Sequence, residues 1–319
     1  MNEHSESVVR MVLVVDTGVD DALAIALAVR HPRIRLQAVL TSCGNVDLER
    51  VNDNTLRVLD WLGAEDVPVY AGAAEPLVQP FIDAAHFHGL DGLGGAELPP
   101  SRRAVQANAV EYLLERLEAE PGELSIVCTG PLTNLALAVK QNPSSVGQVK
   151  EVVVMGGAAQ LPGNTTPTAE FNIYADPEAA AVVFAQDWPL TMVGLDVTNR
   201  VPLYASEVAQ LSHSDTREAV LVREVTRQLF GLRKLHAMAL HDPLAVGVAL
   251  DPSLVACQSG PVQVETRGEH TRGQTVLDLR SVAKRPPSKT RVALEVDSER
   301  FRALFFATLG LSGLGPKRE

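Results

Sequence analysis

The chain is short of cysteine, of positive charge and of long apolar runs, and each shortage excludes a class of protein. Cys43, Cys128 and Cys257 are its only cysteines, odd in number and widely spaced. They exclude a disulfide scaffold and suit reduced thiols in a cytoplasmic protein. Cys43 and Cys128 end apolar runs, where a free thiol normally serves as a small buried side chain. A formal net charge of −11 with an isoelectric point near 5.2 argues against nucleic acid or an anionic membrane as partner. No apolar stretch approaches the roughly 18 residues of a bilayer span, and the opening MNEHSESVVR lacks a signal-peptide core. Repeats, low-complexity linkers and breaks in composition are missing too. The reading is one domain over residues 11–310, between flexible tails at 1–10 and 311–319.

What the chain has is an ordinary globular composition, 46% hydrophobic and 21% charged over 319 residues, enough for a large core. Strand-like runs are expected at Met11–Val15, Leu36–Thr41, Val67–Tyr70, Leu124–Cys128, Val152–Met155 and Leu190–Gly194. Helical periodicity fills Asp20–Arg30, Leu48–Leu62, Ala104–Glu118, Leu132–Lys140 and Pro177–Gln186. This alternation predicts an α/β fold, a mostly parallel central sheet flanked by helices. Ala205–Leu250 reads as helical, broken near His213 and at His241-Asp242-Pro243. Val262–Thr266, Thr275–Leu279 and Arg291–Val296 alternate with period 2 and predict a small C-terminal antiparallel segment, followed by a helix over Ser298–Leu309.

The stretch LVVDTGVDDALAIALAV, Leu13 to Val29, sets Asp16, Asp20 and Asp21 between a buried strand and an apolar helix. That junction is a strand's C-terminal end, where open α/β sheets keep their ligands. Polar residues gather again in SCGNVD, HFHGLDGLGG, CTGPLTNLALAV, GNTTPTAEFNIYADPEAA and LHDPLAV. Each has an ordinary explanation. Asp176 and Asp242 precede prolines as helix caps do. Asp20 and Asp21 suit the positive end of a helix dipole, Asn45 suits a turn, and His86 in a Gly-rich loop reads as surface. Asp16, Asp20, Asp21 and Asp242 nevertheless fall on one expected rim of the sheet. Several buried carboxylates cannot stay ionised together without a cation. An oxygen-only set suits a hard ion such as Ca²⁺ or Mg²⁺ rather than zinc. Asn164, Glu170 and Asn172 add donors and acceptors for a polyol.

In this order, VVDTGVDDALAI, CGN, HGLDGLGG, TGPLTNLA, GNTTPTAEFNI and HDPLA resemble the nucleoside hydrolases from Met11 to about Gly260. These inosine–uridine-type enzymes cleave the N-glycosidic bond of ribonucleosides in nucleoside salvage. The resemblance implies a nucleoside-hydrolase-like, Rossmann-like core and a Ca²⁺ held by Asp16, Asp21, the Thr129 carbonyl and Asp242. It implies Asp16 as general base and His241 as proton donor to the departing base. Asp20, Asn45 and Asn172 would bind the ribose diol, Asn164 and Glu170 the 5′-hydroxyl, and His88 the nucleobase. It further implies a homodimer or homotetramer. Two positions depart from the family's D-x-D-P-G-x-D-D: Val14 replaces its first Asp and Thr17 its proline. Val14 removes a polar neighbour of the site, which leaves a non-catalytic ribose- or nucleoside-binding protein as the rival expectation. A phosphatase with a strand-end Asp nucleophile is excluded, because Gly18 stands where its second Asp belongs. The preferred base is left open. An Arg223–Leu240 helix with Phe230 as its one aromatic predicts apolar contact with it.

Overall fold

The computed structural model describes residues 8–281 and 288–315; most of the expected N-terminal tail and the end of the C-terminal one lie outside them. Among the described residues twelve strands follow in chain order: β1 Val9–Val15, β2 Ile34–Thr41, β3 Val69–Ala71, β4 Leu124–Cys128, β5 Glu151–Met155, β6 Leu190–Val193, β7 Pro202–Tyr204, β8 Ala237–Ala239, β9 Val255–Ser259, β10 Val262–Val264, β11 Thr275–Leu277 and β12 Thr290–Val296. The main sheet has the order β3-β2-β1-β4-β5-β6-β12-β9, parallel throughout except that β9 runs antiparallel to β12.

From Met11 to Val15, β1 is apolar on both faces of its period-2 alternation. Met11, Leu13 and Val15 enter the core on one face, and Val12 and Val14 enter the core on the other, as expected of a strand covered on both sides. The helix Val19–Arg30 follows at once, and every residue from Val19 to Ala28 is buried. It carries no polar stripe because the helices Arg217–Thr226 and His241–Leu250 pack against it as the sheet does. Burying Leu23, Ile25 and Leu27 contributes on the order of 1.5–3 kcal/mol each, so Leu23→Ala costs roughly 2–5 kcal/mol.

Three expectations for the C-terminal half are corrected. Ala205–Leu250 is not continuously helical: helices at Ala205–Gln210 and Arg217–Thr226 give way to a π turn over Arg227–Leu232 and then to β8. The expected Arg223–Leu240 helix is α-helical only to Thr226 and ends, as π-helix, at Leu232. β10 and β11 do form the small antiparallel pair, but β12 leaves it and lies in the main sheet between β6 and β9. Alternation marked these strands without saying which neighbour each would find. β9 (VACQS) and β8 (AMA) are too polar or too short to carry a period.

The strand order reverses around β1, since β2 and β4 both flank it. The crevice at such a switch point, beyond the C-terminal strand ends, is where an open parallel sheet offers its ligand site. Asp16 is the first residue after β1, and Thr129 the first after β4.

Candidate active site

A cavity of about 230 Å³ opens over that switch point. Of the expected site residues, Asp20, Asn45, His88, Thr129, Asn164, Glu170, Asn172, His241 and Asp242 line it. Asp16 and Asp21 are fully buried beneath it.

The floor is carboxylate. One oxygen each from Asp20, Asp21 and Asp242 come within 4.8 Å of one another, and all three residues are buried. Asp21 sits in the first turn of Val19–Arg30 and accepts from the Gly18 N–H at 2.8 Å, from Asn45 Nδ2 at 3.2 Å and from Thr129 Oγ1 at 2.7 Å. The expected helix-dipole role is thus real for Asp21 and coexists with its place in the cluster. Asp242 makes no side-chain cap; the helix it opens is capped at Leu240. Asp176 does cap, accepting from the Ala179 N–H at 3.0 Å.

Asp16 is held by one oxygen and unpartnered at the other. Its Oδ2 accepts from the Asn45 N–H at 2.8 Å, whereas Oδ1 is buried with no hydrogen-bond partner. Two glycines make room for it. A Cβ on Gly44 would strike Asp16 Oδ2, and one on Gly130 would lie 2.7 Å from Oδ1. Burial first, then the repulsion of Asp21, pushes the Asp16 carboxyl well above the usual range. Burial and Asp21 raise Asp20 to about 7. Asp242 is raised well above its usual value by burial and by Asp20, Asp21 and Asp16. Four acids in this state, with an orphaned buried oxygen among them, are what a cation site looks like without its charge compensation. The donors fit a divalent metal of the oxygen-seeking kind.

Val14, two residues before Asp16, is fully buried and belongs to the apolar cluster with Leu40 and Cys128. The layer around Val14 under the carboxylates is therefore hydrophobic. Thr17 uses the space of the family's proline for a 2.6 Å contact between its hydroxyl and that of Thr55.

The walls are neutral or capped. Asn172 Nδ2 donates to the Thr129 carbonyl at 2.7 Å and to the Met155 carbonyl at 3.1 Å. Glu170 opens the helix Phe171–Ala175 as its cap, taking the Asn172 and Gly157 N–H groups at 2.8 and 2.9 Å. Asn164 Oδ1 accepts from the Phe171 N–H at 2.9 Å, which leaves its NH₂ as the end available to a ligand. Two histidines complete the cavity. His88 Nδ1 accepts from the Val19 N–H at 3.0 Å, so its one proton resides on Nε2. Burial lowers it to about 3. His241 Nδ1 lies 2.7 Å from Thr198 Oγ1, and burial lowers it to about 4. Both imidazoles are neutral at neutral pH.

Some lining residues escaped the sequence reading: Phe87, Met155 and Asn199 join the wall, while His86, read as surface, is exposed and stands at its edge. Phe87 and His86 flank a residue already singled out, and that proximity was the available signal. Asn199 had none, because it reaches the cavity from the end of a four-residue helix, Leu195–Thr198. Cys43 and Cys128 are buried with thiols raised by burial, inert as expected.

A carboxylate floor under amide and imidazole walls, at the switch point of a parallel sheet, suits a cation and a polyol. Known proteins give the class its name. The family model of inosine-uridine preferring nucleoside hydrolases matches residues 11–303, and the chain belongs to that family. Over 307 residues it is 37% identical to an inosine-uridine preferring nucleoside hydrolase of Leishmania major, covering 94% of this chain and 97% of that one. It is also 37% identical to the pyrimidine-specific ribonucleoside hydrolase RihA of Citrobacter koseri, covering 90% and 93%. The solved purine-preferring ribonucleoside hydrolase from Gardnerella vaginalis superposes with a TM-score of 0.87 at 35% identity, covering 95% and 98%. The protein is a nucleoside hydrolase, an enzyme acting on ribonucleosides, and a binding module without chemistry is not favoured. Among the described residues no helix is long and apolar enough to cross a membrane.

Proposed function

We propose that this enzyme cleaves the C1′–N bond of ribonucleosides over a Ca²⁺ held by Asp16, Asp21, the Thr129 carbonyl and Asp242. The observation that carries this reading is the buried, unpartnered Oδ1 of Asp16 beside three clustered carboxylates. A divalent ion there supplies charge compensation and acidifies a coordinated water. Asp16, kept at low charge by its neighbours until that compensation is present, takes the proton of the attacking water. Asp20 binds the ribose 2′-hydroxyl, with Asn45 and Asn172 on the sugar diol. Asn164, through its NH₂, and Glu170 hold the 5′-hydroxyl.

As the bond breaks, the sugar becomes an oxocarbenium ion and the base takes the electron pair. A floor of carboxylates stabilises the cationic sugar more than the neutral substrate, which is the differential binding that lowers a barrier. On the other side of the bond, His241 donates a hydrogen bond from its neutral ring to the base as it gains charge, and His88 offers its Nε2–H within the same wall. The relatives bear on specificity by disagreeing. Proteins at 37%, 37% and 35% identity are named for inosine and uridine, for pyrimidines and for purines, so overall likeness does not decide the base, and the wall around His86, Phe87 and Asn199 does. A homodimer or homotetramer in the cytoplasm, serving nucleoside salvage, belongs to the same reading; sedimentation tests the assembly.

The test is ribose release from inosine, uridine, adenosine and cytidine, with and without chelator, beside Asp16→Ala. Release that chelator abolishes and Ca²⁺ restores, absent from the variant, is expected. Undiminished release after chelation would overturn the metal assignment. A Ca²⁺-dependent rise in melting temperature reads the same site without turnover.

A further inference from the structure

We infer that Thr198 is a positioning residue for the reaction: its hydroxyl holds His241 by Nδ1 and so sets Nε2 as the nitrogen that serves the leaving base. The inference rests on the donor role proposed for His241 and adds to it the group that fixes the ring.

Two threonines inside helices, Thr55 and Thr226, turn their hydroxyls back on the helix. Thr55 Oγ1 donates to the Val51 carbonyl at 2.7 Å, and Thr226 Oγ1 to the Val222 carbonyl at 2.6 Å, the usual i−4 bond. Thr198 closes the helix Leu195–Thr198 and is fully buried. The carbonyl four residues back, at Gly194, is occupied by the N–H groups of Val197 and Thr198, each at 3.1 Å. Its hydroxyl contacts His241 Nδ1 at 2.7 Å instead, across 43 positions of sequence. The long-range backbone pairing explains how they meet. β7 pairs antiparallel with β8, Pro202 opposite Ala239, and the Leu240 N–H donates to the Val201 carbonyl at 2.8 Å. His241 is thereby brought against the end of the Thr198 helix.

A hydroxyl is both donor and acceptor, and that choice of partner matters. A backbone carbonyl at Nδ1 would force the ring's proton onto Nδ1 and leave Nε2 bare. In the arrangement inferred, the Thr198 hydroxyl donates to Nδ1 of the neutral ring across this 2.7 Å contact, which sets the proton on Nε2. This leaves Nε2–H for the cavity that His241 lines, where it donates a hydrogen bond to the base as the C1′–N electron pair moves onto it. His88 reaches the same Nε2–H form through a backbone N–H, which no side-chain substitution at Val19 removes. At His241 the device is a single side chain, and it can be deleted.

The experiment compares leaving groups. p-Nitrophenyl β-D-ribofuranoside departs as a stable anion that needs no donor, whereas the base of inosine or uridine does. In the Ca²⁺-loaded enzyme, kcat and KM are measured for the better of those two nucleosides and for the nitrophenyl riboside. The variants are Thr198→Val, Thr198→Ala, Thr198→Ser and His241→Ala. Thr198→Val and Thr198→Ala are expected to lower kcat on the nucleoside about tenfold more than on the nitrophenyl riboside, the scale of one positioned hydrogen bond. KM should hold, and Thr198→Ser should restore most of the loss. Thr198→Ala guards against a fold lost to the added methyl of valine. Equal losses on both substrates, or no recovery with serine, would overturn the inference. His241→Ala separates the two layers. If it loses selectively on the nucleoside while the Thr198 variants do not, the positioning inference alone fails. If it loses equally on both substrates, the donor role fails and the inference goes with it.

Discussion

The floor of the cavity and the wall proposed to face the base are built on opposite principles. The floor is mostly local: Asp16, Asp20 and Asp21 lie within six positions of the chain, at one strand end and one helix start, glycines 44 and 130 close around Asp16, and Asp242 alone joins them from a distant helix start. Its groups are charged, and its rigidity comes from a helix buried on all sides. The base-facing wall is assembled from afar, from a four-residue helix at Ala85–His88, from the turn at Asn199 and from His241 after β8. Its groups are neutral, and exposed apolar side chains such as Leu90 and Leu232 lie in or beside the loops that supply it. The contrast separates two jobs. Stabilising a sugar cation asks for fixed charge and tolerates no movement, whereas recognising a base asks for a replaceable edge. Relatives that share the family and differ in named base fit that division.

Breaking the floor should give the largest effects. Asp16→Ala is expected to cut ribose release by roughly 10³-fold or more, since it removes both a proposed proton acceptor and a ligand; steady-state assays with saturating Ca²⁺ check it. Gly44→Ala should follow closely with no new charge, because its Cβ collides with the Asp16 carboxylate; near-normal activity would mean that Asp16 is free to move. The floor should also govern stability against pH. Asp20 is raised from 3.8 to about 7, and Asp16, Asp21 and Asp242 are raised too. Between those values the native state binds more protons than the unfolded chain, so the stability of the metal-free protein falls as pH rises from about 4 through 7. The stabilisation by Ca²⁺ should grow over the same window, and melting curves across pH with and without the ion measure it. A flat difference would show that the cluster holds no metal.

The wall should give smaller and more selective effects. His88→Ala leaves the Val19 N–H without its acceptor and is expected to cost about 1–3 kcal/mol of stability, with a shift in the ranking of bases that Asp16→Ala cannot produce. Leu232→Ser, at a side chain 79% exposed, should change stability by less than about 0.5 kcal/mol. A large loss there would mean that the segment Arg227–Leu232 is held by packing at this side chain.

Legibility in the sequence divides along nearly the same line. The parallel sheet from β1 to β6 was readable because buried strands and helices alternate with strong periods; β4 was expected at Leu124–Cys128 and lies there. The acid cluster was readable because its members sit at a strand–helix junction, where side-chain direction follows from local geometry. The His241 partner was not, since Thr198 looks like any helical threonine until β7 meets β8. The destination of β12 was hidden for a related reason: alternation states that a strand has two faces and says nothing of its neighbours. The chain by itself determined its elements and the chemistry crowded at their ends, because propensity and burial period act over a few residues. Tertiary structure alone decided which ends meet over the switch point, which nitrogen of each histidine is engaged and how far each carboxyl is raised. These depend on long-range backbone pairing and on the loss of water around charges distant in sequence.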